Sequence, residues 1–321
     1  MTDSFGSFRT ELLATLGGAP ATIEPGRLHR FSTSERRGDS AGWCKLFDDL
    51  RGGVYGCHRQ FPGESFTWSA IDRRTMTLEQ RSLLARQFEA ATAEREAQQR
   101  MQWSENAQRI AQMWAQCVPI SPDDPCSAYL TQRGLVGAWP LPEVLRFHPS
   151  LPYWNGVEKL GPFPAMVAPL IAPDGRTVAL HRTYLTAHGR KAGVPTPKKV
   201  TGASGVLAGA SIPLHEPTGG VIGIAEGIET ALAAWCISGV PTVAAYCAGN
   251  LAAWQCPAGV QRLVVFADAD KAGREAADTL RAKALSRHLR CEVMTPTDEG
   301  SDWCDVWAAS RPTSINAEVA A

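Results

Sequence analysis

The apolar positions in the last third of the chain fall in short runs: Val221-Ile222-Gly223-Ile224, Val243-Ala244-Ala245-Tyr246, Leu263-Val264-Val265-Phe266 and Cys291-Glu292-Val293-Met294. Runs of this length, bounded by polar or glycine-rich turns, read as buried parallel strands. Ala-rich stretches of helical character follow the first and third, so this part predicts an α/β sheet flanked by helices. Upstream, the runs 165–171 and 178–185 flank Ala172-Pro173-Asp174-Gly175, which predicts a β-hairpin on an Asp-Gly turn. A short helix over 126–135 is ended by Gly134, and proline-rich turns are expected from there to Pro164.

Residues 78–116 contain neither Pro nor Gly and are dense in Ala, Glu, Gln and Arg. They predict a long helix with a break near Trp103-Ser104. Its apolar stripe is narrow, with Leu83, Leu84 and Phe88 early and Ile110, Met113 and Trp114 late, so it reads as a solvated spacer. In residues 1–75, the segments 43–47 and 54–59 flank a glycine turn as a hairpin, and Phe66-Thr67-Trp68-Ser69 supplies a third strand. The expected organisation is a small β-ribbon unit (1–75), a helical spacer (76–118), a basic α+β subdomain (119–218) and a parallel α/β domain (219–321).

Composition narrows the class. Of 321 residues, 44% are hydrophobic, enough for real cores, and Lys+Arg balance Asp+Glu at 32 each. Neutrality counts against avid, nonspecific nucleic-acid binding by the whole chain, although a local basic face remains compatible with it. Nine scattered cysteines without a Cys-x-x-Cys pair fit a reducing compartment, and no window approaches a transmembrane span. The expectation is a soluble, cytoplasmic protein that does not engage membranes.

The candidate chemistry lies where the strands end. Glu226-Gly227 follows the first run, and Asp268-Ala269-Asp270 follows the third. Loops at the carboxyl ends of parallel strands converge on one crevice, and carboxylates gathered there repel unless a cation joins them. Mg²⁺ prefers carboxylate oxygens with retained waters, which points to metal-dependent phosphoryl transfer. Strand-Glu-Gly, then strand-Asp-x-Asp with Lys271-Ala272-Gly273-Arg274-Glu275-Ala276-Ala277, resembles a Toprim domain, the module shared by DnaG-type primases, topoisomerases and some nucleases. The resemblance covers about residues 219–310. It implies that Glu226 serves as general acid/base or metal-site carboxylate and that Asp268 and Asp270 hold Mg²⁺ or Mn²⁺. A further acid is expected from Asp302 or Asp305, with Asp305 taken as the fourth metal-site carboxylate; either residue would equally serve as a helix cap. Glu229 reads as a second acid behind Glu226 or as a favourable charge at a helix N-terminus.

No Asp or Glu occurs between Asp174 and Glu216, and His181, Arg182, Arg190, Lys191, Lys198 and Lys199 make this strip basic. It resembles the basic subdomain preceding Toprim in primases. Arg182 on a strand, Lys198 and Lys199 in a glycine-flanked loop, and Lys271 after Asp-x-Asp are the expected phosphate contacts. Cys44, Cys57 and His58 lack the paired spacing of a structural zinc site, so zinc is not expected. The order of modules resembles compact DnaG-type primases of plasmids, phages and integrative elements. That resemblance implies primer synthesis on single-stranded DNA from nucleoside triphosphates, with any replicative helicase a separate partner. A Toprim nuclease and a non-catalytic replication adaptor are the alternatives. A topoisomerase does not fit, since there is no room for DNA-gating domains.

Overall fold

The computed structural model describes residues 4–35, 39–61, 64–71, 74–135 and 140–310. The chain divides into two compact units, Met1–Met101 and Gln102–Ala321.

In the first unit, helix α1 (Ser4–Leu16) buries Phe8, Leu12 and Leu16, spaced one turn apart, against an antiparallel sheet. The strands β1 (Leu28–Phe31), β2 (Gly42–Leu46), β3 (Gly52–Cys57) and β4 (Phe66–Ser69) are ordered as in the sequence. Cys44 and Cys57 lie in its core, and burial pushes the Cys44 thiol up to about 12. On the other side of the sheet, Trp43, Phe47 and Val54 pack with Leu84 and Ala91 of helix α2 (Leu78–Ala115), and Arg95 lies over the Trp43 ring. Helix α2 runs without a break at Trp103-Ser104, in contrast to the sequence expectation. Neither residue removes a backbone donor, and strong helix formers surround both.

The second unit begins within α2. After it come β5 (Val118–Pro119), α3 (Pro125–Gln132), β6 (Arg146–Asn155), β7 (Glu158–Ile171), β8 (Thr177–Tyr184) and β9 (Lys198–Val200). These five strands form an antiparallel sheet in sequence order. The β7–β8 turn is built as the Asp-Gly signal predicts, with Gly175 at φ +83° and Asp174 accepting from the Arg176 N–H at 3.1 Å. The stretch read as proline-rich turns is instead β6 and the start of β7. Pro149 and Pro152 fall beyond the two-residue β5, where β6 is an edge, and Pro162 and Pro164 precede the paired length of β8. Proline is tolerated where no ladder donor is needed. Lys198 and Lys199, expected in a loop, lie in β9 and pair with Thr183 and Arg182 of β8.

The remaining elements are β10 (Val221–Ala225), α4 (Ile228–Ser238), β11 (Thr242–Ala244), α5 (Ala248–Ala253), β12 (Arg262–Phe266), α6 (Lys271–Ser286), β13 (Arg290–Met294) and α7 (Trp303–Ser310). Their four strands form a parallel sheet of order β11-β10-β12-β13, with all four apolar runs in place. Alternation assigns the faces. Ala225, Val264 and Phe266 join α4 and α7 in one core, whereas Ile222, Ile224, Leu263 and Val265 join α5 and α6 in the other. Gly249 and Asn250 lie in the short helix α5, and Asn250 donates to the Ala210 carbonyl at 2.5 Å. The two sheets are stitched together by Ser211, bridged to Ile171, and Ile212, bridged to Ala244. No described helix is long and apolar enough to cross a membrane.

Candidate active site

Strands β10 and β12 are neighbours in register, with Ala225 opposite Phe266. The residues that follow, Glu226 and Ala267-Asp268, therefore leave the sheet side by side at its carboxyl edge. Asp268-Ala269-Asp270 stays extended because buried Ala269 is bonded at both backbone groups: its N–H donates to Ser301 O at 2.9 Å, and its carbonyl accepts from the Gly300 N–H at 2.7 Å. That clamp also brings the loop before α7 to Asp268. Helix α7 is held to the end of α3, since the Trp307 indole donates to the Gly134 carbonyl at 2.8 Å.

Five acids meet here. Asp268 is half-buried, and its carboxyl is pushed up to about 7, first by burial and then by Glu226, Asp302, Asp270 and Asp305. Its Oδ1 is buried without a hydrogen-bond partner. Glu226 is also raised, by burial and by Asp270, and this is partly opposed by Lys198. Asp270 caps α6, with Oδ1 accepting from the Gly273 N–H at 2.7 Å. Gly273 is needed because a Cβ there would lie 2.7 Å from the Asp268 carbonyl oxygen. Asp302 and Asp305 form a reciprocal cap on α7: the Asp305 N–H donates to Asp302 Oδ1 at 2.9 Å and the Asp302 N–H to Asp305 Oδ2 at 3.2 Å. Both therefore have a structural duty in addition to their charge.

The basic residues separate by strand alternation. Lys198, in β9, forms an ion pair with Glu229 at 2.8 Å. Arg182 and Lys199, on the other parity, face the aromatic core beneath the five-stranded sheet. Arg182 donates to the Tyr184 hydroxyl at 3.1 Å and the Val200 carbonyl at 2.9 Å. Lys199 lies over the Tyr153 ring and donates to the Trp154 carbonyl at 2.5 Å. Lys271 is exposed and pairs loosely with Glu275 at 3.8 Å. Of the four expected phosphate contacts, Lys198 acts on the acids, lowering the pKa of Glu226.

Glu229 lies in the first turn of α4, where its charge suits the helix N-terminus as the sequence suggested, but it is not solvated. It is buried, and its Oε1 accepts from the Tyr129 hydroxyl of α3 at 2.5 Å. Burial raises its pKa, but the charge and hydrogen bond of Lys198, with the Tyr129 hydroxyl, outweigh this and hold the carboxyl far below its ordinary value. His181 lies within reach of this charge; burial lowers its pKa to about 4, and its Nδ1 has no partner. Tyr129 and Gly273 were not singled out from the sequence. Nothing in a short helix announces a contact 100 residues away, whereas a glycine in the first turn of α6 was a readable sign of close approach.

Among the described residues, no three His, Cys, Asp or Glu side chains are placed to ligate one ion as they stand. The donor set nevertheless fits a hard dication. Mg²⁺ takes one or two carboxylates and completes its shell with water and phosphate, and Asp268 presents a buried oxygen with no other partner among raised, mutually repelling acids.

Residues 221–311 match the Toprim domain family, and residues 104–212 match a family described as a domain of unknown function (DUF7146). No curated protein matches the chain. Among solved structures, a DNA primase domain from Pseudomonas aeruginosa is 16% identical with a TM-score of 0.35 over 50% of this chain; the chain spans about half of that domain (52%). The RNA polymerase domain of the Mycobacterium tuberculosis primase DnaG is 18% identical with a TM-score of 0.39, over 65% of this chain and 79% of that one. The Aquifex aeolicus primase, with its zinc-binding and RNA polymerase domains, is 12% identical with a TM-score of 0.37, over 97% and 83%.

Proposed function

We propose that this Toprim-domain protein is a metal-dependent nucleotidyltransferase that makes short primers on single-stranded DNA from nucleoside triphosphates. What carries the reading is the convergence of Glu226, Asp268, Asp270, Asp302 and Asp305 on one sheet edge, with Asp268 raised to about 7 and its Oδ1 unpartnered. Such a cluster is costly in an apo protein and useful for binding a cation that meets phosphate.

In this reading Asp268 and Glu226 would hold the ion, with Asp270 beside them and Asp302 and Asp305 adding charge. A bound Mg²⁺ or Mn²⁺ would supply Lewis-acid stabilisation of the charge that develops on the phosphate oxygens. Glu226 would hold the ion through one carboxylate oxygen and accept the proton of the attacking 3′-hydroxyl on the other. The hydroxyl oxygen bonds the α-phosphorus as the α–β bridging bond breaks, and pyrophosphate departs with that electron pair. Lys198 contributes a cation for the triphosphate. Arg182 and Lys199 fit a role in shaping the aromatic face of the sheet better than one at the reacting atoms.

The test is to incubate the protein with single-stranded DNA, labelled nucleoside triphosphates and Mg²⁺ or Mn²⁺, beside the variant Asp268→Ala/Asp270→Ala. Short labelled oligomers made by the intact protein alone are the expected result, and omission of each nucleotide class identifies the one used. Template degradation without new oligomers would instead assign a nuclease. Neither product, even with a replicative helicase added, would leave a non-catalytic adaptor.

A further inference from the structure

We infer that Glu229 is a positioning residue: its buried carboxylate holds the Lys198 ammonium at the rim of the acidic crevice as a fixed cation for a nucleoside triphosphate, and keeps it from closing onto Glu226. This rests on the reading of Lys198 as the phosphate contact.

The geometry supplies the reasons. The Glu229 side chain is 5% exposed, and both of its oxygens are engaged, Oε1 by Tyr129 of α3 and Oε2 by Lys198 of β9. A carboxylate this deep persists only when it is paired, so the arrangement resists the loss of either donor. Tyr129 occupies one oxygen and thereby fixes the plane in which the other meets Lys198. The Lys198 backbone is fixed by its pairing with Thr183 in β8. Its side chain is 37% exposed, and an ammonium that gives one proton to Glu229 has two left for solvent or a ligand.

The alternative partner for this lysine is Glu226, which follows β10 directly and lies one helical turn before Glu229, the carboxylate that Lys198 meets at 2.8 Å. A flexible four-carbon stem would settle on that carboxylate if Glu229 lost its charge, and would neutralise a group the metal site needs. Behind the pair, His181 and Thr183 are buried on the same face of β8, and burial keeps His181 neutral, so it does not compete for Glu229. Glu229 thus divides the charges, with the lysine held on one side and the crevice left anionic on the other.

A pattern of variants separates the positioning role from a folding defect. ATP binding in EDTA, measured by calorimetry, is expected to weaken about tenfold in Lys198→Met and in Glu229→Gln, the worth of one charge-assisted contact. The double variant, which leaves no buried unpaired charge, is expected to bind as Lys198→Met does, because Glu229 acts through the lysine. Mn²⁺ binding, read by electron paramagnetic resonance, should weaken in Glu229→Gln and hold or tighten in Lys198→Met. Additive losses of ATP affinity, equal losses of Mn²⁺ affinity, or a Glu229→Gln variant that binds ATP as the wild type does would overturn the inference. A wild type that makes no primers while the ATP pattern holds would overturn only the polymerase reading. Primer synthesis with unchanged nucleotide KM in Glu229→Gln, or a wild type blind to ATP in EDTA alone, would overturn only the positioning role, and a wild type blind to ATP with Mn²⁺ present would overturn both.

Discussion

Replacing Asp268 with Asn tests whether the acid cluster is held under electrostatic strain in the absence of metal. The carboxyl moves from an ordinary 3.8 to about 7 on folding. At face value that shift corresponds to about 4 kcal/mol. Asp268 is half-buried, so water screens the interaction and roughly 1–2 kcal/mol is the expected remainder. The sign follows from proton binding. Between the unfolded and folded pKa the native state holds a proton that the unfolded chain has released. The penalty is therefore absent below the unfolded value, grows as pH rises, and is complete above about 7. Asp268→Asn removes it, so in EDTA the variant should melt roughly 2–6 °C above the wild type at pH 8, with little difference near pH 4. Differential scanning calorimetry across this range reads the gap directly. Millimolar Mg²⁺ at pH 8 should raise the wild type and leave the variant unmoved. A gap that stays constant with pH, or a variant less stable at pH 8, would refute the electrostatic account of the site.

Three further outcomes follow from the geometry. Gly273→Ala places a methyl 2.7 Å from the Asp268 carbonyl oxygen, and urea denaturation should show a loss of about 1–3 kcal/mol as the start of α6 is forced away. Asp302→Ser keeps a capping oxygen on α7 while removing the charge, whereas Asp302→Ala loses both. The serine variant should retain stability within a few tenths of a kcal/mol, and the alanine variant should lose about 1 kcal/mol. Glu229 has a depressed pKa, so its contribution is present above the ordinary glutamate value near about 4.3 and is lost as pH falls below it. An acid-unfolding titration should accordingly show a shallower acid limb for the Glu229→Gln/Lys198→Met variant than for the wild type.

The parallel sheet was legible because β10, β11 and β12 are buried on both faces and read as apolar runs, whereas β13, at the edge, is largely exposed in an alternating pattern. Glu226 and Asp268 were legible because they stand where two such runs end. The antiparallel sheet was harder. Prolines at 149, 152, 162 and 164 are strong turn signals, and only the pairing shows that each falls where the ladder needs no donor. The same uncertainty of element blurred the basic strip. Read as a loop, Lys198 and Lys199 have no faces; as strand β9 they point apart, one toward Glu229 and one onto Tyr153. Glu229 showed its acid but not its burial, since the lysine and tyrosine that satisfy it arrive from β9 and α3. Long-range pairing of this kind leaves no local trace in the residues that make it.

If the proposed function holds, the crevice between β10 and β12 binds one divalent cation on the carboxylates of Glu226 and Asp268. The most direct measurement is anomalous diffraction from crystals soaked in Mn²⁺ with a nucleoside triphosphate. One strong peak touching both carboxylates and a phosphate oxygen, absent in Asp268→Asn, is the expected result. A peak elsewhere, or none at saturating Mn²⁺ with triphosphate bound, would contradict it.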